Sequence, residues 1–137
     1  MRLLHTSDWH LGRSLHSVSL HTAQEQAVDF ILELAVAESV DCIVVAGDVF
    51  DRAIPPIEAL RLLNRVVDAL AAAGVTVIIT AGNHDSGDRL ATYSGVLRPG
   101  VHLVGSLASI GTPVMIEDEF GPVLVYPLPY LEPDVAR

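Results

Sequence analysis

The sequence predicts an α/β sandwich in which a mostly parallel central sheet is covered by helices. Three observations carry that expectation. Three short apolar runs, ending near residues 7, 46 and 81, each lead into a loop rich in Asp, His and Asn. Stretches of helical periodicity separate the runs. Asp48 follows Asp8 by 48 − 8 = 40 residues, and Asn83 follows Asp48 by 83 − 48 = 35. Each interval fits one strand–helix–strand unit of roughly 30 or more residues, the repeat that builds a parallel sheet.

Taken in order, residues 2–7 read as the first strand, leading straight into Asp8. Residues 11–20 read as a polar loop containing Gly12, Arg13 and His16. Thr22 followed by Glu25 has the pattern of a capping box and opens a helix to about Val36. Ala27, Phe30, Ile31, Leu34 and Ala35 form its expected buried stripe. Asp41 begins the second strand, and residues 42–46 are apolar on both faces, as a central parallel strand requires. The Pro55-Pro56 pair starts the next helix, because proline is tolerated in a first turn. Leu60, Leu63, Val67 and Leu70 keep helical spacing, and Gly74 ends that helix. Residues 75–80 form the third strand. Beyond Asp85 the pattern changes: a short helix is expected over 87–97, a short strand over 101–104, and a hairpin of 112–116 with 123–126 around a solvated acidic turn at 117–119. The stretch 127–133 is too rich in proline for a central strand.

Length and composition bound the rest. At 137 residues the chain is one domain at most, with 50% hydrophobic residues and a mean hydropathy of +0.44. No apolar run approaches the ~20 residues of a membrane span, and no leader-peptide pattern is present. Cys42 is the single cysteine, which excludes disulfides within the chain and a cysteine zinc site, and a cytoplasmic protein without membrane association is expected. A formal charge of −9 repels nucleic acid unless bound divalent cations reverse the field locally. All eight basic residues are Arg, so a phosphate-loop lysine and a Schiff-base lysine are excluded.

The chemistry sits where the strands end. Val44 and Val45 finish a buried strand, Gly47 lets the backbone turn, and Asp48 is delivered to the carboxyl edge of the sheet, where open α/β folds hold ligands. The same device presents Asp8 and His10 after the first strand, and Asn83, His84 and Asp85 after the third. In extended backbone, positions two apart project to one side, so Asp8 and His10 are expected to face one ion while Trp9 packs beside the site. Carboxylate, imidazole and amide oxygen together suit Mn, Mg or Fe more than a thiolate-loving metal. Asp8 and His10 are assigned to a first ion, Asp48 to a bridge and Asn83 to a second ion. Two ions roughly 3.5–4 Å apart would activate water and clamp phosphoryl oxygens in an in-line displacement. His84 is assigned to catalysis, stabilising developing charge or protonating a leaving oxygen. Asp51 and Asp85 are read as standing behind the ligands or capping loops. Arg13 and His16 are candidate phosphate contacts in an otherwise solvated loop. His5, His21 and His102 are read as structural.

Asp8-x-His10, Gly47-Asp48-x-x-Asp51 and Gly82-Asn83-His84-Asp85 resemble the first three motifs of the calcineurin-like metallophosphoesterases. The fuller wording of residues 4–12 and 45–51, with Leu128-Pro129-Tyr130-Leu131, is similar to a DNA-repair nuclease branch of that family. The resemblance implies a Mn2+-dependent nuclease, with Mg2+ or Fe2+ as substitutes, hydrolysing DNA phosphodiesters by a two-metal mechanism. It implies an exonuclease on duplex ends and an endonuclease on single strands or hairpins, acting in repair, recombination and replication. It also implies a homodimer working with an SMC-like ATPase, a division of labour that fits the missing lysine. The family completes its site with a later lone His and a Gly-His-x-His motif. Neither occurs by Arg137, where His102 is the last histidine. The chain therefore reads as the amino-terminal part of a longer enzyme, lacking capping and partner-binding segments, that alone binds metal weakly and hydrolyses nothing. Two alternatives stay open: a metallophosphoesterase for another phosphoester, and a non-catalytic module for dimerisation or docking.

Overall fold

The computed structural model describes residues 1–92 and 94–133. In chain order its elements are β1 (Leu3–Thr6), β2 (Ser14–Leu15), β3 (Val18–Ser19), α1 (His21–Ala37), β4 (Cys42–Ala46), α2 (Ile57–Ala72), β5 (Thr76–Thr80), α3 (Gly87–Ala91), β6 (Val101–Val104), β7 (Val114–Asp118) and β8 (Gly121–Val125). β1, β4, β5 and β6 form one sheet in that order, every pair parallel. Each new strand is added on the same side of the last. Right-handed crossovers therefore place α1 and α2 on one face of the sheet.

Strand alternation then makes two cores. Ile43 and Val45 of β4, with Val77 and Ile79 of β5, pack under Val28 and Ala35 of α1 and Ala59, Leu62, Leu63, Val66 and Leu70 of α2. Cys42 and Ile78 face the other way, onto Val114 and Ile116 of β7. The β7–β8 hairpin thus covers the second face, which makes the sheet the middle layer. Each fully buried Ile or Val contributes about 1.5–3 kcal/mol relative to exposure, so the central strands dominate the stability. No helix among the described residues is long and apolar enough to cross a membrane.

The sequence expectations are corrected in several places. The capping box does not form: α1 begins at His21, with Leu20 as its cap, and the Ser19 hydroxyl accepts the His21 N–H at 3.2 Å. The buried stripe of α1 is Val28 and Ala35 with Ile31 and Leu32 half-buried, whereas Ala27, Phe30 and Leu34 are exposed. Nine apolar residues between 27 and 37 surround this helix, so periodicity admits both stripes and only packing chooses. In α2, Pro56 is the cap rather than a first-turn residue, and Leu60 lies at the exposed edge of the buried stripe. The polar loop over 11–20 contains the β2–β3 hairpin, turned by His16 and Ser17 at φ 47° and 66°. The helix expected over 87–97 is α3 followed by a 3₁₀ turn at Ser94–Val96, with residue 93 outside the described residues. The later hairpin is tighter than expected, and Glu117 and Asp118 belong to β7. Asp118 accepts the Phe120 N–H at 2.8 Å and the terminal ammonium of Met1 at 2.7 Å.

Cys42 has no solvent exposure, and its burial, aided by the Asp41 carboxylate, pushes the thiol up to about 11. An unfolded thiol titrates near ~8.5, so the unfolded chain releases its proton first and stability falls as pH rises from ~8.5 toward 11. The expected result is a folded protein inert to aromatic disulfide reagents at pH 8, with one thiol titrated on addition of urea. Absorbance of the released thiolate checks it.

Candidate metal centre

The loops after β1 and β4 are zipped together beyond the strands themselves. Asp8 N–H donates to the Gly47 carbonyl at 3.2 Å, His10 N–H to Asp48 at 2.9 Å and Leu11 N–H to Val49 at 2.9 Å. Asp51 N–H closes the ladder on the Leu11 carbonyl at 3.1 Å. The offset of the strand pair Leu3 with Cys42 is 42 − 3 = 39, and that of the bridge Leu11 with Phe50 is 50 − 11 = 39. Both segments therefore kink by equal lengths and resume the same register. Leu11 anchors the rejoined segment, buried in the main core.

Left-handed backbone makes the kink. Asp8 and His10 have φ of 56° and 44°, and Gly47 and Asp48 have 81° and 49°. This corrects the extended geometry expected for Asp8 and His10. Their side chains do meet, but through a tight turn rather than strand alternation. Asp is one of the few non-glycine residues that enters the left-handed region readily, because its short polar side chain bonds locally. His10 enters it against a steric cost, held by the ladder on either side.

Three loops converge on one cluster. Ligand atoms of His10, Asp48 and His84 all lie within 4.8 Å of one another. His10 Nε2 is 3.8 Å from Asp8 Oδ1 and 3.8 Å from Asp48 Oδ2, so one imidazole nitrogen faces two carboxylates. Its other nitrogen, Nδ1, is buried without a hydrogen bond, 3.7 Å from Asp51 Oδ1. The His10 and His84 rings meet edge to face, centroids 4.9 Å apart. His84 N–H donates to Asp48 Oδ1 at 3.0 Å. Its Nδ1 is 3.0 Å from the Asp51 carbonyl, a contact that only a protonated Nδ1 can make, which leaves Nε2 for a ligand.

Asp85 ties two of the loops. Its Oδ2 accepts Gly82 N–H at 2.8 Å and Val49 N–H at 3.1 Å, and its Oδ1 accepts Phe50 N–H at 2.9 Å. Asp51 stands behind His10 and also meets Arg13 Nε at 3.9 Å, which brings the half-exposed guanidinium beside the cluster. His16 lies at the tip of the β2–β3 hairpin and is outside the cluster. Trp9 Nε1 donates to Thr6 Oγ1 at 3.0 Å and packs on the core. Asn83 lines a cleft of about 270 Å³ with Asp8, Asp48 and Thr80. His102 pairs with Ile78 in β6, where burial holds its imidazole below the ordinary range.

Two cleft residues carried part of the family likeness in the sequence but no site role. Leu128 and Tyr130 line the same cavity, held there because Pro127 and Pro129 are buried and Tyr130 N–H donates to the Ala81 carbonyl at 2.8 Å. The alternation of Pro127 and Pro129 was the available signal.

The donor set fits a hard or borderline divalent ion. Carboxylate oxygens and imidazole nitrogens converge with no sulfur. Asp8, Asp48 and Asp51 ring the imidazoles, and among the described residues Arg13 alone of the arginines is in salt-bridge contact with them. An unpartnered buried His10 Nδ1 beside a carboxylate is the arrangement that orients a metal-binding imidazole from behind.

The profile of the calcineurin-like phosphoesterases matches residues 1–123, nearly the whole chain. The chain belongs to the calcineurin-like phosphoesterase family. Among curated proteins it is 49% identical over 86 residues to the D subunit of the SbcCD nuclease of Escherichia coli K12, covering 63% of this chain and 22% of that protein. The same-named protein of Rhodobacter capsulatus is 40% identical over 111 residues, covering 79% of this chain and 27% of that one. That of Bacillus subtilis is 40% identical over 107 residues, covering 77% and 27%. The phosphoesterase chain thus spans about a quarter of the length of these relatives. Its parallel sheet with helices on one face is the α/β layering that the sequence predicts.

Proposed function

We propose that this chain carries part of the catalytic site of a metal-dependent DNA nuclease of the SbcD type. The observation that carries the reading is the convergence of His10, Asp48 and His84 from three strand ends within 4.8 Å. Similarity to the D subunits of SbcCD nucleases supports the nuclease class. When bound, two divalent ions, Mn2+ foremost, supply Lewis-acid activation of water and neutralise phosphoryl charge. Asp8 and His10 would hold one ion, Asp48 would bridge and Asn83 would hold the second through its amide oxygen. Asp51 and Asp85 keep those residues in place, the first behind the His10 ring and the second across the loop amides.

The remaining work falls to His84. Its Nδ1 proton rests on the Asp51 carbonyl, so Nε2 is the atom that would carry a proton to a leaving oxygen or bond a non-bridging phosphoryl oxygen. Arg13, beside Asp51, would meet a neighbouring phosphate of the DNA strand. We place the assembled protein in the cytoplasm as a homodimer with an SbcC-type SMC-like ATPase, acting in repair and recombination on duplex ends and hairpins.

The 137-residue chain alone should show no Mn2+-stimulated hydrolysis of DNA or nitrophenyl phosphate esters above background. A protein carrying this chain at the length of its relatives should cleave linear duplex DNA with Mn2+. His84→Ala should cut that rate by about 100-fold or more, the scale of general acid–base work. Gel assays of DNA beside colorimetric ester assays decide the matter. Ester hydrolysis without DNA cleavage would move the substrate to another phosphoester, and cleavage untouched by His84→Ala would leave His84 without a catalytic role.

A further inference from the structure

We propose that Gln24, on α1, is a positioning residue that locks the His10 loop in the left-handed geometry which turns His10 onto Asp8 and Asp48. The inference rests on the metal reading above. Gln24 Nε2 donates to the His10 carbonyl at 2.6 Å and to the Trp9 carbonyl at 3.5 Å, while Oε1 accepts the Gly12 N–H at 3.1 Å. One side-chain amide therefore uses both donors and its acceptor on the peptide groups that bracket the His10 kink.

The kink needs such a clamp. His10 at φ 44° and Gly12 at φ 88° leave backbone groups turned away from any strand partner, and left-handed backbone at a non-glycine residue costs about 1–2 kcal/mol. On one side the loop is held by the Asp48 and Val49 carbonyls, which accept from His10 and Leu11. On the other side, Gln24 is the side chain that bonds it. Gln24 itself is rigidly placed: it lies in the first turn of a 17-residue helix, half-buried, with its N–H on the Leu20 carbonyl at 2.9 Å. A ligand shell is only as well organised as the groups that fix its rotamers and backbone, and such support typically changes metal affinity by about 10–100-fold. Amide chemistry is specific here. Glu would keep the acceptor for Gly12 but set a carboxylate oxygen against two carbonyl oxygens, and Met would keep the volume and lose all three bonds.

The test is Mn2+ binding to the 137-residue chain, followed by the electron-spin signal of the free ion, beside amide exchange of Gly12. Gln24→Met and Gln24→Glu should each bind Mn2+ about tenfold more weakly, with Gly12 exchanging at least about tenfold faster. Leu70→Ala, in the core at the far end of α2, controls for general destabilisation and should leave the Mn2+ affinity unchanged. Unaltered affinity in Gln24→Met and Gln24→Glu, beside a collapsed one in Asp48→Asn, overturns the positioning role alone. Equal losses in Leu70→Ala overturn it too, since the effect would then be merely structural. A parent chain whose Mn2+ binding ignores Asp48→Asn refutes the metal reading and the positioning role with it.

Discussion

Asp48→Asn is expected to abolish Mn2+ binding while leaving the fold intact. Asp48 is 9% exposed and sits at the centre of the cluster, its Oδ1 accepting from His84 N–H at 3.0 Å and its Oδ2 3.8 Å from His10 Nε2. Asn is isosteric and still offers an oxygen to His84, and it tolerates the φ of 49° that this position requires. The second arm, however, becomes an NH₂ donor pointed where cation charge belongs. Affinity should fall by at least about 100-fold, beyond the usual loss on removing a group behind the ligands. Stability should change by less than about 1 kcal/mol, because the substitution changes no volume. Isothermal titration with Mn2+ beside urea denaturation separates the two. Retained affinity would mean that Asp48 serves the backbone and not an ion.

Gly82→Ala is expected to cost both stability and the site. A Cβ at residue 82 would overlap the Asp48 backbone nitrogen and its carboxylate. Gly47 approaches from the same side, where its own Cβ would lie 3.1 Å from Gly82 Cα. The obstruction is backbone on both sides, so no flexible side chain can swing away. Overpacking of this kind costs about 3 kcal/mol. For a chain of this size, that lowers Tm by about 10 °C. Because the displaced atom belongs to Asp48, Mn2+ affinity should fall with it. Calorimetry and metal titration on the same variant check the pair, and a stable variant with normal affinity would show that the loops can part freely.

Both expectations concern the meeting of loops that are distant in sequence, and that marks the limit of what residues alone reveal. The motifs located the strand ends because apolar runs, glycines and acids are local signals. The offset of Asp8, Asp48 and Asn83 was legible for the same reason, since each interval counts one crossover. What joins the loops was not legible. Asp85 bonds Val49 and Phe50, 36 and 35 residues away, and nothing near Asp85 in sequence announces those amides. Gln24 belongs to no motif, and its role exists only where α1 passes the His10 loop. The expected stripe of α1 failed because the helix is apolar around most of its circumference, so the partner surface decided which side was buried.

The sequence by itself determined the α/β class, the order of three strand–loop units and the set of residues brought to one edge. It could do so because parallel crossovers force every strand to point the same way, so all three loops emerge at one end of the sheet. The tertiary structure decided the left-handed turns at Asp8, His10 and Asp48, the rejoined register of the two loops and the hairpin that covers the second sheet face. These depend on hydrogen bonds and contacts between segments some forty residues apart at the loops and up to 116 − 42 = 74 apart at the hairpin, whose energies enter only when the whole chain is assembled.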